Sequence, residues 1–217
     1  MKYDVNFLKT FDGGINPLNV DMSELANTIE ANVSQYEYCY ETNLKECPKV
    51  VIQVTNENIP HLLGLSKNHH NGLPEYNARA IFEGLKSDWT LESLKKGDSK
   101  WFLNNKDKIV GVMLLYQILH IKECKVYSTK HIFNTYLGRK FKRDNIYFVV
   151  FKLSNKKKYT IELSPIKGTD NKFIPRSLKI NDKRFNNCEE ISMSLISRER
   201  IRRKSKKKKF KKVRWSK

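Results

Sequence analysis

The sequence is poor in the residues that break or staple a chain. Of 217 residues only 9 are glycine, 6 proline and 4 cysteine. Collagen-like and Pro/Gly-rich disordered classes are thereby excluded, and a hydrophobic fraction of 39% leaves enough for a core. Cys39, Cys47, Cys124 and Cys188 form no CxxC pair, so no close-spaced zinc site is read from them. The longest apolar run, Ile109 to Leu119, is interrupted by Gln117 and is too short to cross a bilayer. Met1-Lys2 leads into Asp4 and Asn6 with no apolar leader, the pattern of a cytoplasmic protein with reduced thiols. There is no GxxxxGK[ST], no GxGxxG and no HExxH, which argues against nucleotide-binding α/β folds and zinc-protease chemistry. Nor is there a clustered Asp/Glu set of the two-metal nuclease kind. The expectation is a protein without metal or cofactor.

What is abundant is positive charge. Lys and Arg number 42 against 23 Asp and Glu, a net charge of +19. The excess is uneven: Arg198 to Lys217 holds 13 Lys/Arg and a single acid, Glu199, and so supplies +12 of the total. Such density points to a polyanion partner: RNA, DNA or an anionic membrane, with RNA preferred over DNA. The chain therefore reads as one α+β domain over 1–197 and a basic tail over 198–217, unstructured without its partner. Within the tail, Arg202, Arg203, Lys206, Lys207, Lys208, Lys209, Lys211, Lys212 and Arg214 are candidate phosphate contacts. Phe210 and Trp215 are available to stack on bases.

Hydrophobic periodicity gives the elements. Residues 19–35 predict a helix with Val20, Leu25, Ile29 and Val33 on one face and Ser23 as cap. Residues 36–43 alternate as a half-buried strand, and 49–56 form a second across Pro48. A polar, turn-rich loop is expected over 59–77. Residues 78–120 predict two or three helices, one of them capped by Thr90 and ended by Gly97. From 125 the character is β: 125–133, 145–154, 158–165 and 173–180 are rich in β-branched and aromatic residues. Turns are expected at Asn155-Lys156-Lys157 and at 167–172. Periodicity leaves 186–201 open between helix and strand. The order predicts an α+β domain with helices packed on an antiparallel β-sheet.

Four features can carry chemistry. In IPHLLGLSKNHHNG (59–72), His61 lies near Lys67, and Gly64 permits an unusual backbone angle. A neutral imidazole can move the proton of a ribose 2′-hydroxyl, and a cation can stabilise charge on a phosphate. The plainer alternative is a His61 that packs on the helices and bonds a carbonyl. His69-His70 read as a solvated turn. Second, Lys125, Lys130, His131, Arg139, Lys140, Lys142 and Arg143 crowd a stretch interleaved with Tyr127, Phe133, Tyr136, Phe141 and Tyr147, as in surfaces that hold phosphates and stack bases. Third, Pro175 in KFIPRSLKI (172–180) marks an edge strand or a bulge that re-aims Arg176 and Ser177 toward a phosphate. The fourth feature is the tail itself.

His61-Leu62-Leu63-Gly64-Leu65 after a strand, a helical stretch, Lys130 near the start of a β meander, and Phe173-Ile174-Pro175-Arg176-Ser177-Leu178 form a pattern. It resembles the phage-associated nucleases of the BECR fold (the barnase, EndoU, colicin and RelE group), in particular the fourth family of that phage set. The resemblance covers about residues 20–185. The chain carries Leu178 where the family often has an aromatic. The resemblance implies helices on an antiparallel sheet and metal-independent endoribonuclease activity, of the kind proposed for toxins and phage-defence effectors. His61, Lys67, Lys130, Arg176 and Ser177 would be its site residues, and an acidic antitoxin or immunity protein a possible partner. The alternative is a noncatalytic RNA- or DNA-binding protein that acts through its tail and basic sheet.

Overall fold

The computed structural model describes residues 3–45, 47–66, 73–74, 77–87, 89–122, 124–128, 147–152, 157–169 and 171–201, for 147–152 the backbone only. Over these residues the protein is α+β, with helices on a mixed, mostly antiparallel sheet of eight strands. The helices are α1 (Val5–Thr10), α2 (Met22–Asn32), α3 (Asn58–Leu63), α4 (Ala78–Ser87), α5 (Leu91–Gly97), α6 (Ser99–Met113) and α7 (Leu115–Leu119). The strands are β1 (Tyr36–Thr42), β2 (Lys49–Val54), β3 (Cys124–Ser128), β4 (Tyr147–Lys152), β5 (Lys158–Pro165), β6 (Lys172–Ile180), β7 (Glu189–Ile191) and β8 (Met193–Arg200). No helix among the described residues is long and apolar enough to cross a membrane. Among the described residues no disulfide joins Cys39, Cys47, Cys124 or Cys188.

The sheet runs β7-β3-β4-β5-β6-β2-β1-β8. The N-terminal hairpin and the C-terminal meander, separate in sequence, therefore share one sheet. Their junction is the sole parallel pairing among the described strands: Val51 opposite Lys172 and Ile52 opposite Phe173. The expectation of a purely antiparallel sheet is corrected at this point. The reading of β6 as an edge strand is also corrected, because β5 and β2 flank it. The bulge expected at Pro175 is present. Glu162 faces Ser177 and Leu163 faces Pro175, so Arg176 is the extra residue. A proline has no N–H to give a ladder, and a bulge is how an interior strand accommodates one.

Alternation explains which face is buried. Tyr38 and Tyr40 on β1, Val50, Ile52 and Val54 on β2, and Tyr159, Ile161 and Leu163 on β5 are nearly inaccessible. They meet helices whose apolar residues recur at helical spacing, such as Ala78, Ile81, Phe82 and Leu85 on α4. Each buried Val, Ile, Leu or Phe of this set contributes roughly 1.5–3 kcal/mol by leaving water. α6 supplies Trp101, Phe102, Ile109, Val112 and Met113 to the same core. Its Gly111 lets α6 sit on Leu178 and Tyr159, because a Cβ there would lie 2.5 Å from a Leu178 methyl.

Three local expectations change. α2 is capped by Asp21, whose carboxylate accepts the Glu24 N–H at 2.9 Å, while Ser23 donates to the Lys86 carbonyl instead. The segment 186–201 forms a short 3-10 turn (Arg184–Asn187) followed by β7 and β8. β8 carries the chain to Arg200, antiparallel to β1, so the first residues read as tail belong to the sheet.

Candidate nucleic-acid site

The segment expected to be a polar loop contains α3. It starts directly after β2, and Pro60 sits in its first turn, where a missing N–H costs nothing. Ile59, Leu62 and Leu63 bury one side. Gly64 ends the helix with φ of 77°, and Leu65 N–H returns to the Pro60 carbonyl at 2.9 Å. Trp101 of α6 donates its indole N–H to the Leu63 carbonyl at 3.1 Å. His61 projects from this turn, partly exposed, with Nδ1 hydrogen-bonded to the Ser66 hydroxyl. A Cβ on Gly64 would meet Asn105 Oδ1 at 2.8 Å and Lys108 Nζ at 3.3 Å. α6 thus brings a cation against the carbonyl end of α3, where the helix dipole is negative.

α3 lies against β6. β2 and β6 pair at only two positions although both strands run on, so the sheet splits between them. Asn58 clasps the split. Its side-chain oxygen accepts from Thr55 N–H at 2.7 Å, at the end of β2, and its amide donates to the Pro175 carbonyl at 3.3 Å. The helix that carries His61 is therefore fastened to the bulge that carries Arg176. Arg176 is exposed and makes no ion pair among the described residues.

Ser177 points elsewhere. Its hydroxyl donates to Glu162 Oε2 at 3.1 Å, and Arg184 donates to the same oxygen at 2.9 Å. Glu162 pairs with Ser177 across the β5–β6 ladder, so both lie on the face opposite the buried Ile161 and Leu178. Arg184 also holds Asp182, at 2.6 Å. Burial pushes the Asp182 carboxyl up, but the hydrogen bonds and charge of Arg184 outweigh it and hold the group below its usual range. The same two acids hold the Arg184 guanidinium protonated against the opposing effect of burial. On either side of Glu162, the hydroxyls of Thr160 and Ser164 are buried without a hydrogen-bond partner among the described residues.

Of the residues singled out in the sequence, the structure thus brings His61 and Arg176 to one junction and turns the Ser177 hydroxyl to Glu162. Lys125 on β3 is exposed and paired with Glu190 at 2.9 Å. Lys67, Lys130, Arg139, Lys140, Lys142 and Arg143 lie outside the described residues, as do Arg202, Arg203, Lys206, Lys207, Lys208, Lys209, Lys211, Lys212 and Arg214. Sequence reasoning missed Lys108, Glu162 and Arg184. Lys108 faces Gly64 across a fold contact that no local pattern encodes. Glu162 looks like an ordinary outward residue of an alternating strand. Among the described residues no group of three His, Cys, Asp or Glu could hold a metal ion.

Fold and site together define an α+β protein in which a short histidine-bearing helix fills a split in a mixed sheet, next to a bulge that presents an arginine. No family model matches the chain, and neither a curated protein nor a solved structure does so.

Proposed function

We propose that the protein is a metal-independent endoribonuclease of the BECR kind, acting as a toxin or phage-defence effector. The observation that carries this reading is the junction of α3 with the β6 bulge: His61, steadied through Nδ1 by Ser66, stands on the helix fastened to the strand of Arg176. In the proposed reaction the ribose 2′-oxygen forms a bond to the adjacent phosphorus and the bond from phosphorus to the 5′-oxygen breaks. His61 takes the 2′-hydroxyl proton or supplies one to the departing 5′-oxygen, and the products are a 2′,3′-cyclic phosphate and a 5′-hydroxyl. Arg176 faces the phosphate as a fork donor. Lys67 and Lys130 are assigned to phosphate neutralisation on sequence grounds. Ser177 acts only if its hydroxyl leaves Glu162. RNA is the substrate, and an acidic inhibitor protein is the expected partner of so basic a chain.

The test is incubation of the full chain with labelled structured RNA in EDTA, beside His61→Ala. Cleavage to cyclic-phosphate ends, reduced about 100-fold or more in the variant, is the expected result. Equal cleavage by both removes His61 from the reaction. A second reading, a noncatalytic RNA-binding protein, is favoured by the 13 Lys/Arg between Arg198 and Lys217 and by the engagement of Ser177 with Glu162. Tight binding without cleavage by either protein would select it.

A further inference from the structure

A second histidine stands in a more developed setting than the first. Tyr116 and His120 are four residues apart at the end of α7, and their rings stack with centroids 4.1 Å apart and 17° between planes. Tyr38 of β1 meets the imidazole edge-on at 5.9 Å. His120 Nδ1 lies 2.6 Å from the Tyr116 carbonyl oxygen. A carbonyl can only accept, so Nδ1 carries the proton, and in the neutral ring Nε2 holds a lone pair. Among the described residues nothing partners that nitrogen.

Cations surround it. Arg198 of β8 stacks its guanidinium 3.7 Å from the Tyr36 ring centre and donates to the Asn32 carbonyl at 2.6 Å. Gln117 ties α7 to α1 by donating to the carbonyls of Phe11 at 2.6 Å and Leu8 at 3.2 Å, which sets Lys9 alongside. Lys122 follows on the chain, and both lysines are exposed. Burial, with the charges of Arg198, Lys122 and Lys9, outweighs the opposing hydrogen bond to the Tyr116 carbonyl and holds the imidazole below its usual pKa, hence neutral near pH 7. The groups that face His120 from α1, α7, β1 and β8 are thus Lys9, Tyr116, Tyr38 and Arg198, with Lys122 beside them and no acid in the set.

The backbone bends hard at both approaches. Ile121, a β-branched residue, has φ of 53°, and Gln35, just before Tyr36, has φ of 65°. Positive φ is uncommon for non-glycine residues and gathers at functional places. Gln35 also accepts the N–H of Ile201 at 2.9 Å, so the basic stretch 202–217 starts from this corner.

We propose that His120, Arg198, Lys122 and Lys9 form a ribose-phosphate subsite for single-stranded RNA at the root of the basic segment. His120 Nε2 accepts a hydrogen bond from a ribose 2′-hydroxyl, and the three cations face the flanking phosphates. The 2′-hydroxyl is the group by which a protein tells RNA from DNA. The inference rests on RNA as the ligand and is independent of whether the chain cleaves it.

The test is equilibrium binding of matched 12-nucleotide RNA, DNA and 2′-O-methyl RNA to the full chain by fluorescence anisotropy, with strand integrity checked on gels. Wild type should bind RNA more tightly than the other two. His120→Phe keeps the stack and removes Nε2, so RNA affinity should fall about 5–10-fold, the effect of one hydrogen bond. DNA and 2′-O-methyl RNA should change less than twofold. Lys122→Ala, at an exposed position that leaves the core alone, should weaken all three and lower the salt slope by about 0.7, one phosphate contact to a single strand. A folded His120→Phe with an unchanged RNA-to-DNA ratio overturns the subsite, as does an unaltered salt slope in Lys122→Ala. Failure of wild type to bind any of the strands would instead overturn RNA as the ligand.

Discussion

Arg184→Ala should destabilise the protein far more than a typical surface change. Arg184 is a quarter exposed, but its two acceptors are not: the Glu162 and Asp182 side chains are 10% and 7% exposed. Removing the guanidinium takes the direct ion-pair partner from both buried carboxylates and leaves Asp182 only the more distant charge of Lys179, and breaking a buried pair in this way costs about 3–5 kcal/mol. The partial exposure of Arg184 lets water reach the gap, which sets the expectation near the lower end, about 3 kcal/mol. For a chain of this length that lowers Tm by roughly 6–12 °C. Urea unfolding followed by circular dichroism gives the value, and Glu162→Gln closes a double-mutant cycle. The neutral amide needs no counter-charge, so the double variant should lose about 1 kcal/mol less than the two single losses summed. Acid titration gives a second check. The folded pKa of Asp182 is lowered, so its contribution is present above the unfolded carboxyl value of about 3.9 and is lost as pH falls through the folded value. Arg184→Ala should flatten that acid limb. A loss below about 1 kcal/mol, or strict additivity with Glu162→Gln, would refute the view that Arg184 neutralises a buried acidic pair.

Three further outcomes follow from the same structure. Gly111→Ala should destabilise by about 1–2 kcal/mol in urea, because overpacking against the fully buried Leu178 and Tyr159 exceeds the gain of about 1 kcal/mol in helix propensity; a more stable variant would show that the core gives way. Stability should fall between pH 7.5 and pH 5 by at most about 1.4 kcal/mol per unit through His120: its folded pKa is lowered, so the stability it contributes is present above the unfolded value of about 6.5 and lost below it, and a Tm-versus-pH curve identical in His120→Phe would refute this. Deleting 202–217, which holds 11 Lys/Arg and no acid, should shrink the salt dependence of RNA binding while leaving Tm within a degree or two, since β8 ends at Arg200; an unchanged slope in a salt titration would place the phosphate contacts elsewhere.

Local signals account for what could be read in advance. Alternation in YEYCYET and KVVIQV marks β1 and β2, and Thr90 does accept the Ser93 N–H as a cap. Proline chemistry narrows Pro175 to an edge strand or a bulge, and only the interior place of β6 in the sheet selects the bulge. What stayed hidden is long-range. α3 has six residues, too few for periodicity to stand out from its polar surroundings, and its stability comes from Trp101, Asn58 and the core rather than from propensity. The parallel pairing of Val51 with Lys172 joins segments that share no local pattern. Glu162 and Thr160 alternate with Tyr159 and Ile161 as solvent-facing residues do, yet both are buried, and nothing in KYTIELSP announces that both faces of β5 are covered. His61 drew attention as a residue type in a glycine-containing segment. His120, whose neighbours come from α1, β1 and β8, could not.

The split between β2 and β6 ties these observations together. A bulged strand cannot keep a regular ladder on both sides, and the missing N–H of Pro175 removes a donor where a second strand would need one. β2 therefore parts from β6 after two pairs, and the freed Pro175 carbonyl would be a buried acceptor without a donor. Asn58 meets it, and α3 fills the gap. One proline thus opens the sheet, sets Arg176 out of register into solvent, and makes room for the helix of His61. Asn58→Leu should therefore disturb α3 first. Its side chain spans both sides of the split and is 6% exposed, so the loss includes three hydrogen bonds, two from Thr55 and one to Pro175, and leaves the Pro175 carbonyl buried alone, about 2–3 kcal/mol in all. Hydrogen exchange should locate that loss in α3 and at the β6 bulge, with the β1–β8 ladder at the far edge unchanged; uniform loss across the sheet would show that α3 is part of the core's cooperative unit and not a wedge set into it.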